Sequence, residues 1–234
     1  MNKSNILLCS YPRSGSSYLR FLIDNNTDYC IGTLYSHNDF DIRQTSEVLG
    51  KPLIASKTHF PTNGKCLPSN KFTSVGKNHG NNFANSKLAV LIRNPHDTLK
   101  SQLLLHSKVP HSLIDDYIDI FCEDWNKWIS YYEKVECVDK RFYTYEQLSI
   151  HCYDTVCDIC EYLNIEVKDN FKNVDRKESV RRVLSARCRN PKFIGECKIL
   201  NYKSFFSPDQ CKRIYQLCKR NITNYFSFLE EYDN

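Results

Sequence analysis

The chain has 234 residues, of which 41% are hydrophobic and 13% aromatic, and its formal net charge at pH 7 is +5. This length and apolar content suit one domain with a substantial core, so residues 1–234 are predicted to form a single domain. The positive charge suits an anionic ligand, but no basic run with interleaved aromatic residues indicates nucleic-acid binding. No segment approaches the roughly eighteen apolar residues of a membrane span, and no signal peptide is recognised, so we expect a soluble protein without a membrane partner.

Twelve cysteines raise the question of disulfide bonds and metal sites. The chain is too long and too rich in core residues for a disulfide scaffold, so we expect free thiols and a reducing, cytoplasmic location. Cys157 and Cys160 form a CxxC pair inside a helical pattern. Such a pair is more often two small core residues than a zinc or redox site, and no metal site is predicted.

The first strand–loop–helix unit lies at residues 5–25. Residues 6–9 form an apolar run that predicts a buried strand, and residues 18–23 continue as an apolar helical face. The loop between them contains one basic side chain, one glycine and three serines: Arg13, Gly15, Ser14, Ser16 and Ser17. Free N–H groups at a helix N-terminus, the helix dipole and Arg13 together favour an anion at this loop. The loop lacks the spacing of a nucleotide-triphosphate P-loop, and the alternative is a serine-rich helix cap after a core strand.

A second short strand is predicted within residues 53–61, and it ends with Lys57 and His59. Because side chains alternate along a strand, Lys57 and His59 are expected to share a face. His59 alone has an alternative interpretation as a satisfied polar group at a strand end.

A third strand is predicted to run into a helix within residues 88–106. Asn94 suits the helix cap and Pro95 suits the first helical position. Arg93 lies at this junction, and Ser101 follows it by eight residues, one to two turns into the helix. Pairing of Arg93 with Asp97 on the next turn is the alternative to an anion-binding role.

The rest of the chain predicts further helices and one more strand. Residues 112–135 form a long amphipathic pattern with an aromatic stripe, which we interpret mainly as core. The remaining predicted elements are a strand at 141–145 and helices at 153–163, at 176–187 and from Ser207, where Pro208 and Asp209 suit a helix start. Residues 62–86 form a long polar loop, and loops of this length are often functional, so this one is a candidate acceptor gate.

Short apolar strands that alternate with helices predict an α/β fold with a mostly parallel central sheet flanked by helices. Ligands of such sheets bind at the carboxyl ends of the strands. The candidate residues that follow such ends are Arg13, Lys57, His59, Arg93 and Tyr145.

Three motifs, YPRSGSSYL, KTHFP and RNPHDTLKS, occur in this order within the first 105 residues and resemble those of the cytosolic sulfotransferase family. FYTYEQL at 142–148 is similar to the family's FYED-like strand end, and NYKSFFS at 201–207 is similar to its WKNxF segment. The chain departs from the family in having Arg13 where Lys is usual. Its RKG signature is also broken, because the nearest stretch, at 187–192, is followed by a glycine only at Gly195.

The resemblance implies a single α/β domain with a P-loop-like phosphosulfate-binding loop after the first strand. It also implies that the co-substrate is 3′-phosphoadenosine-5′-phosphosulfate (PAPS). The sulfuryl group would move to a hydroxyl or amine of a small-molecule acceptor without a metal ion, and adenosine 3′,5′-bisphosphate (PAP) would be the second product.

The resemblance also implies roles for individual residues. The implied catalytic residues are His59 as general base, with Lys57 and Arg13 stabilising charge. The implied ligands of the 5′-phosphate are Arg13, Ser14, Gly15, Ser16 and Ser17. The implied ligands of the 3′-phosphate are Arg93 and Ser101, with Arg189 and Lys192 from the broken RKG segment. Tyr18 and Tyr145 are expected near the adenine.

Two other functions stay open from the sequence. A P-loop kinase of a small molecule would need a loop Lys, a Ser or Thr for Mg²⁺ and an acidic strand end. A non-catalytic adenine-nucleotide-binding module would fit the broken RKG segment. The sequence does not predict the identity of the acceptor or the oligomeric state.

Overall fold

The computed structural model describes residues 5–33, 50–61, 83–105, 113–173 and 199–232. Within these ranges the strands are β1 (Asn5–Ser10), β2 (Cys30–Thr33), β3 (Leu53–Thr58), β4 (Ser86–Ile92) and β5 (Asp139–Thr144). The α-helices are α1 (Ser16–Asn26), α2 (Pro95–Leu105), α3 (Ile114–Lys134), α4 (Tyr145–Ile150), α5 (Cys152–Leu163) and α6 (Pro208–Phe226). Short 3-10 turns lie at Phe83–Asn85, Asn201–Ser204 and Ser227–Tyr232.

The strands form one sheet in the order β2-β3-β1-β4-β5, with β1 at its centre. Every pairing is parallel; Leu8 of β1, for example, lies opposite Lys57 of β3 and Ala89 of β4. The predicted α/β fold with a parallel central sheet and flanking helices is therefore confirmed. Because all five strands point the same way, their carboxyl ends lie along one edge of the sheet. The loop that follows β1 lies at the middle of this edge.

The core fills both faces of the sheet. Alternate residues of β4 divide between the two faces: Leu88, Val90 and Ile92 pack with α3 and α6, and Ala89 and Leu91 pack with α1 and α5. The aromatic stripe of α3 is core, as predicted, and its fully buried members are Phe121, Trp125, Trp128 and Tyr132.

Two predicted helix starts are confirmed in detail. The side chain of Ser207 accepts the N–H of Gln210 and the Gln210 side chain accepts the N–H of Ser207, which makes a capping box ahead of Pro208. At α2, the Asn94 side chain accepts the N–H of His96 at 3.0 Å, so Asn94 caps the helix that begins at Pro95.

Two elements differ from the prediction. β2 was not expected, because its sequence CIGT is short and contains a glycine, and its edge position comes from pairing with β3. The strand predicted at 141–145 runs from Asp139 to Thr144, and Tyr145 instead begins α4, because Thr144 and Gln147 form a capping box. The helix predicted at 176–187 and residues 62–82 of the candidate gate at 62–86 lie outside the described residues. The last residues of that predicted loop instead form the 3-10 turn Phe83–Asn85 and the start of β4 at Ser86.

Candidate active site

The loop between β1 and α1 turns on two residues with positive φ, Arg13 at 73° and Gly15 at 85°. The carbonyl of Gly15 accepts the N–H groups of Tyr18 and Leu19, so the helical bonds of α1 start here. The N–H groups of Ser16 and Ser17 come before those bonds and have no acceptor within the helix. α1 has no side-chain cap and no acidic residue in its first turn. Its positive end is therefore left for an external anion.

Ser14 contributes its hydroxyl rather than its amide to this loop. Its N–H donates to the carbonyl of Tyr11 at 3.1 Å, which closes the turn. Its Oγ is buried and has no hydrogen-bond partner among the residues that the structure describes. A buried hydroxyl without a partner costs free energy, so this atom suits a ligand oxygen at the loop.

Tyr145 packs directly on the backbone of Gly15. A Cβ atom added to Gly15 would lie 2.2 Å from Cδ2 of Tyr145, so only glycine allows this contact. The guanidinium of Arg93 lies 4.4 Å from the centroid of the same ring. One aromatic ring thus joins the loop after β1 to the arginine after β4.

Arg13 and Ser101 also meet, although they are 88 residues apart in sequence. Arg13 Nε donates to Ser101 Oγ at 3.0 Å. Because Ser101 accepts this bond, its own O–H proton is left to donate to another group. The sequence assigned these two side chains to opposite ends of the donor, and the structure places them side by side.

His59 follows the end of β3 and contacts the neighbouring end of β1. Its Nδ1 lies 2.5 Å from the carbonyl oxygen and 3.1 Å from Oγ of Ser10. A carbonyl oxygen only accepts, so Nδ1 carries the proton and the lone pair of the neutral ring is on Nε2. Burial, and next the positive charge of Lys57, hold the pKa of His59 well below its ordinary 6.5. The ring is therefore neutral at pH 7, as a general base must be.

The backbone after His59 is anchored by the aromatic stripe of α3. Trp128 Nε1 donates to the Phe60 carbonyl at 3.1 Å, and the Tyr132 hydroxyl donates to the same oxygen at 2.7 Å. These side chains are core residues that also position the site. The sequence pattern predicts the burial, but it carries no signal for the hydrogen bonds.

Positive charge surrounds the histidine. Besides Lys57, the charges of Arg13 and Arg20 lower the pKa of His59. Arg20 was not identified from the sequence; it lies on α1, and its Nε donates to the carbonyl of Ile31 in β2 at 2.8 Å. Its position between two core residues of an apolar helix gave no indication of this role.

The region around Arg93 is tied to the segment that starts at residue 199. Asp97 Oδ2 accepts the N–H of Leu200 at 2.7 Å, and Lys100 Nζ donates to the carbonyl of Asn201 at 2.7 Å. Asp97 also interacts electrostatically with Arg93. The segment similar to WKNxF therefore lies against α2. Arg189 and Lys192, the other candidates for the 3′-phosphate, are outside the described residues.

Tyr18 lies deeper than an adenine-binding ring was expected to lie. It is 4% exposed, its hydroxyl is 3.7 Å from Sγ of Cys152, and its ring meets the edge of Tyr145 at 6.4 Å. Contact of Tyr18 or Tyr145 with adenine stays a prediction.

The described ranges include both members of the cysteine pair. Cys157 and Cys160 lie on α5, where Cys160 is buried and Cys157 is partly exposed. No group of three or more His, Cys, Asp or Glu side chains in these ranges is arranged to hold a metal ion. In the same ranges, no helix has the length and apolar character needed to cross a membrane.

Comparisons with solved structures identify proteins of the same fold. The mouse sulfotransferase SULT7A1, in complex with PAP, is 17% identical, with a TM-score of 0.58 over 99% of this chain and 89% of that one. Retinol dehydratase, in complex with androsterone and the inactive cofactor PAP, is 15% identical, with a TM-score of 0.58 over 95% of this chain and 82% of that one. A search of curated protein sequences found no significant match. Residues 3–226 match the sequence profile of the sulfotransferase domain. Because that match spans nearly the whole chain, the protein belongs to the sulfotransferase domain family.

Proposed function

We propose that the protein transfers a sulfuryl group from PAPS to a hydroxyl or amine of a small-molecule acceptor, with His59 as the general base. The observation that carries this proposal is the meeting of four strand ends. The loop after β1 that suits an anion, the neutral histidine after β3 and the arginine after β4 lie along one edge of the sheet. Tyr145, after β5, packs against both the loop and the arginine. The PAP bound in both solved relatives supports the choice of donor.

The 5′ end of the donor is assigned to the β1–α1 loop. The N–H groups of Ser16 and Ser17 and the hydroxyl of Ser14 would bind phosphate oxygens, and Arg13 would add full charge. Two features of the loop fit this group. The Ser14 hydroxyl is buried without a partner in the described structure, and the close contact of Gly15 with Tyr145 leaves bare backbone at the loop.

The 3′-phosphate is assigned to Arg93 and Ser101. Both side chains are half-buried, so a ligand can reach them while their charge and dipole are only partly screened. The guanidinium of Arg93 lies 4.4 Å from the centroid of the Tyr145 ring, and this contact helps to pre-organise its planar fork for a phosphate. Arg189 and Lys192 stay candidates for the same phosphate.

The donor and the protein have separate roles in the reaction. PAPS supplies the sulfuryl group and leaves as PAP. His59 Nε2 accepts the proton of the acceptor as the acceptor attacks sulfur, and Lys57 neutralises charge that develops on the transferred group and the bridging oxygen. The rest of the catalysis is positioning, because the protein forms no covalent bond in this scheme.

The acceptor is proposed only as a class. Retinol dehydratase was crystallised with androsterone, a small molecule, and a small-molecule acceptor suits this chain as well. The proposed gate at 62–86 would shape specificity.

Binding of PAP tests the donor assignment. PAP should raise the melting temperature of the wild-type protein by mass action, the shift should persist in EDTA, and it should decrease with added salt. A larger shift from ATP with Mg²⁺ than from PAP would instead support a small-molecule kinase. Mass spectrometry after incubation with PAPS and a panel of phenols, alcohols and amines should then detect products heavier by one SO₃. PAP binding without any product over the panel would support a non-catalytic nucleotide-binding module.

A further inference from the structure

Glu146 is a fully buried carboxylate that no role above uses. It lies in the first turn of α4, directly after Tyr145, and its exposed fraction is 0%. Its Oε1 accepts the backbone N–H of Asn94 at 3.1 Å. Its Oε2 is buried and has no hydrogen-bond partner within the described ranges. A buried carboxyl oxygen without a partner is costly, so this arrangement calls for an explanation.

The bond to Asn94 holds the turn that carries Arg93. Arg93 and Asn94 are the two residues between β4, which ends at Ile92, and α2, which begins at Pro95. Asn94 itself caps α2, so its position fixes both the helix start and the residue before it. Tyr145 supports the guanidinium of Arg93, and Glu146 supports its backbone turn. The β5–α4 junction therefore positions Arg93 from two sides.

The charged groups that act on Glu146 come from the elements packed against it. Arg93, after β4, favours its ionised form, and Asp97, in the first turn of α2, opposes it. Burial outweighs both and raises the pKa of Glu146 from 4.5 to about 7. The carboxyl group therefore changes charge near neutral pH, next to the arginine assigned to the 3′-phosphate.

We propose that Glu146 is a positioning residue for the 3′-phosphate site, and that binding of the donor or of PAP there is linked to uptake of a proton by Glu146. The proposal rests on the proposed function, which places a phosphate on Arg93. A phosphate dianion at Arg93 adds negative charge beside Glu146 and disfavours its ionised form. The protonated enzyme should therefore bind PAP more tightly than the ionised enzyme.

The size of the linkage follows from the shift that binding causes. If PAP raises the pKa of Glu146 by about one unit, the affinity of the wild type falls about fivefold from pH 6 to pH 8 relative to a variant that does not titrate. Under the same shift, binding near pH 7.5 takes up about half a proton per site. The phosphate groups of PAP titrate as well, but they do so equally with every variant.

Calorimetric titration with PAP at pH 6, 7.5 and 8, in two buffers of different ionisation enthalpy, measures both quantities. Glu146→Gln keeps an oxygen for the Asn94 N–H and removes the titration. It should bind like the wild type at pH 6, bind about fivefold more tightly than the wild type at pH 8, and take up about half a proton less. Glu146→Ala loses the bond to Asn94 and should bind about fivefold more weakly at pH 6, the loss expected for one hydrogen bond.

Asp24→Asn is the matched control. Asp24 is a mostly buried carboxyl on α1 whose pKa is raised to about 6 by burial, and it has no assigned role at the 3′-phosphate. Its substitution should leave proton uptake at the wild-type value. Equal proton uptake and equal pH dependence in the wild type and Glu146→Gln would overturn the inference while leaving the proposed donor intact. Absence of PAP binding by the wild type would overturn both.

Discussion

Substitution of Gly15 by alanine tests how the β1–α1 loop, the proposed phosphate-binding loop, is built. Two separate penalties are expected. Gly15 has a φ of +85°, a conformation that costs an L-residue about 1–2 kcal/mol. The new Cβ would also lie 2.2 Å from Cδ2 and 2.8 Å from Cε2 of Tyr145, well inside van der Waals contact. The ring is buried, so the overlap is relieved only by moving Tyr145 or the loop, which costs about 1–3 kcal/mol more.

Gly50 provides a control that separates these two penalties. Its φ is +61°, but a Cβ added there would have no heavy atom of the described residues within 4 Å. Gly50→Ala therefore carries the backbone penalty alone, partly offset by the lower entropy of its unfolded chain. We expect Gly15→Ala to lower the free energy of unfolding by about 1–3 kcal/mol more than Gly50→Ala does.

Urea unfolding gives the stability difference, and titration with PAP gives the functional one. Because Tyr145 also supports Arg93, Gly15→Ala should weaken PAP binding, and Gly50→Ala should not. Combining Gly15→Ala with Tyr145→Ala removes the overlap, so the double variant should be less destabilised than the sum of the two single variants. Equal destabilisation by Gly15→Ala and Gly50→Ala, together with additive effects in the double variant, would refute the contact between the loop and Tyr145.

Three further predictions address the chemistry of the site. Arg93→Ala should weaken PAP binding by about 2–4 kcal/mol and Ser101→Ala by about 1 kcal/mol, and unchanged affinity of Arg93→Ala in calorimetry would remove that arginine from the site. His59→Ala should lower kcat by about 10²–10⁴-fold with PAP affinity nearly intact. Because the pKa of His59 is lowered, kcat/KM for the acceptor, measured with saturating PAPS, should rise with pH only below 6.5 and then stay level to pH 8. Near-wild-type turnover of His59→Ala would show that another group is the base. Between pH 4.5 and about 7, Glu146 is protonated in the native state but ionised in the unfolded chain. The contribution of Glu146 to the free energy of unfolding should therefore fall by about 3 kcal/mol as pH rises through this window. Glu146→Gln should lack this fall in urea titrations at pH 5 and pH 8.

Strong local signals account for the part of the fold that the sequence predicts. Apolar runs bounded by turn residues mark β1, β3 and β4, and helix-start chemistry marks α2 and α6 at Asn94 and Ser207. β2 escapes prediction because its four residues have no period, and its strand character comes from pairing with β3. The start of α4 was missed for a different reason. Its capping box is visible as Thr144 and Gln147 in the sequence, but the preceding apolar run extends the strand pattern into Tyr145.

For the site, the sequence identifies which side chains follow strand ends, because a parallel sheet brings such ends to one edge. It does not identify contacts between distant side chains. The bond from Arg13 to Ser101 and the burial of Glu146 beneath the Arg93 turn depend on how loops pack over the sheet. The role of Ser10 is hidden for the same reason, since a backbone carbonyl sets the tautomer of His59 and leaves no trace in the residue type.

These contacts couple the two ends of the proposed donor site to each other. Arg13 bonds to Ser101 across the site, and Tyr145 packs on Gly15 at one end while it supports Arg93 at the other. A substitution at either end should therefore change the geometry of both ends. Its effect on PAP affinity should include weaker binding of the phosphate at the opposite end. For this reason the losses expected from single substitutions in the loop and at Arg93 should not add in combination. A rigid link of this kind suits sulfuryl transfer, because anchoring both phosphates of the donor fixes the sulfuryl group on its 5′-phosphate, and catalysis here depends on positioning.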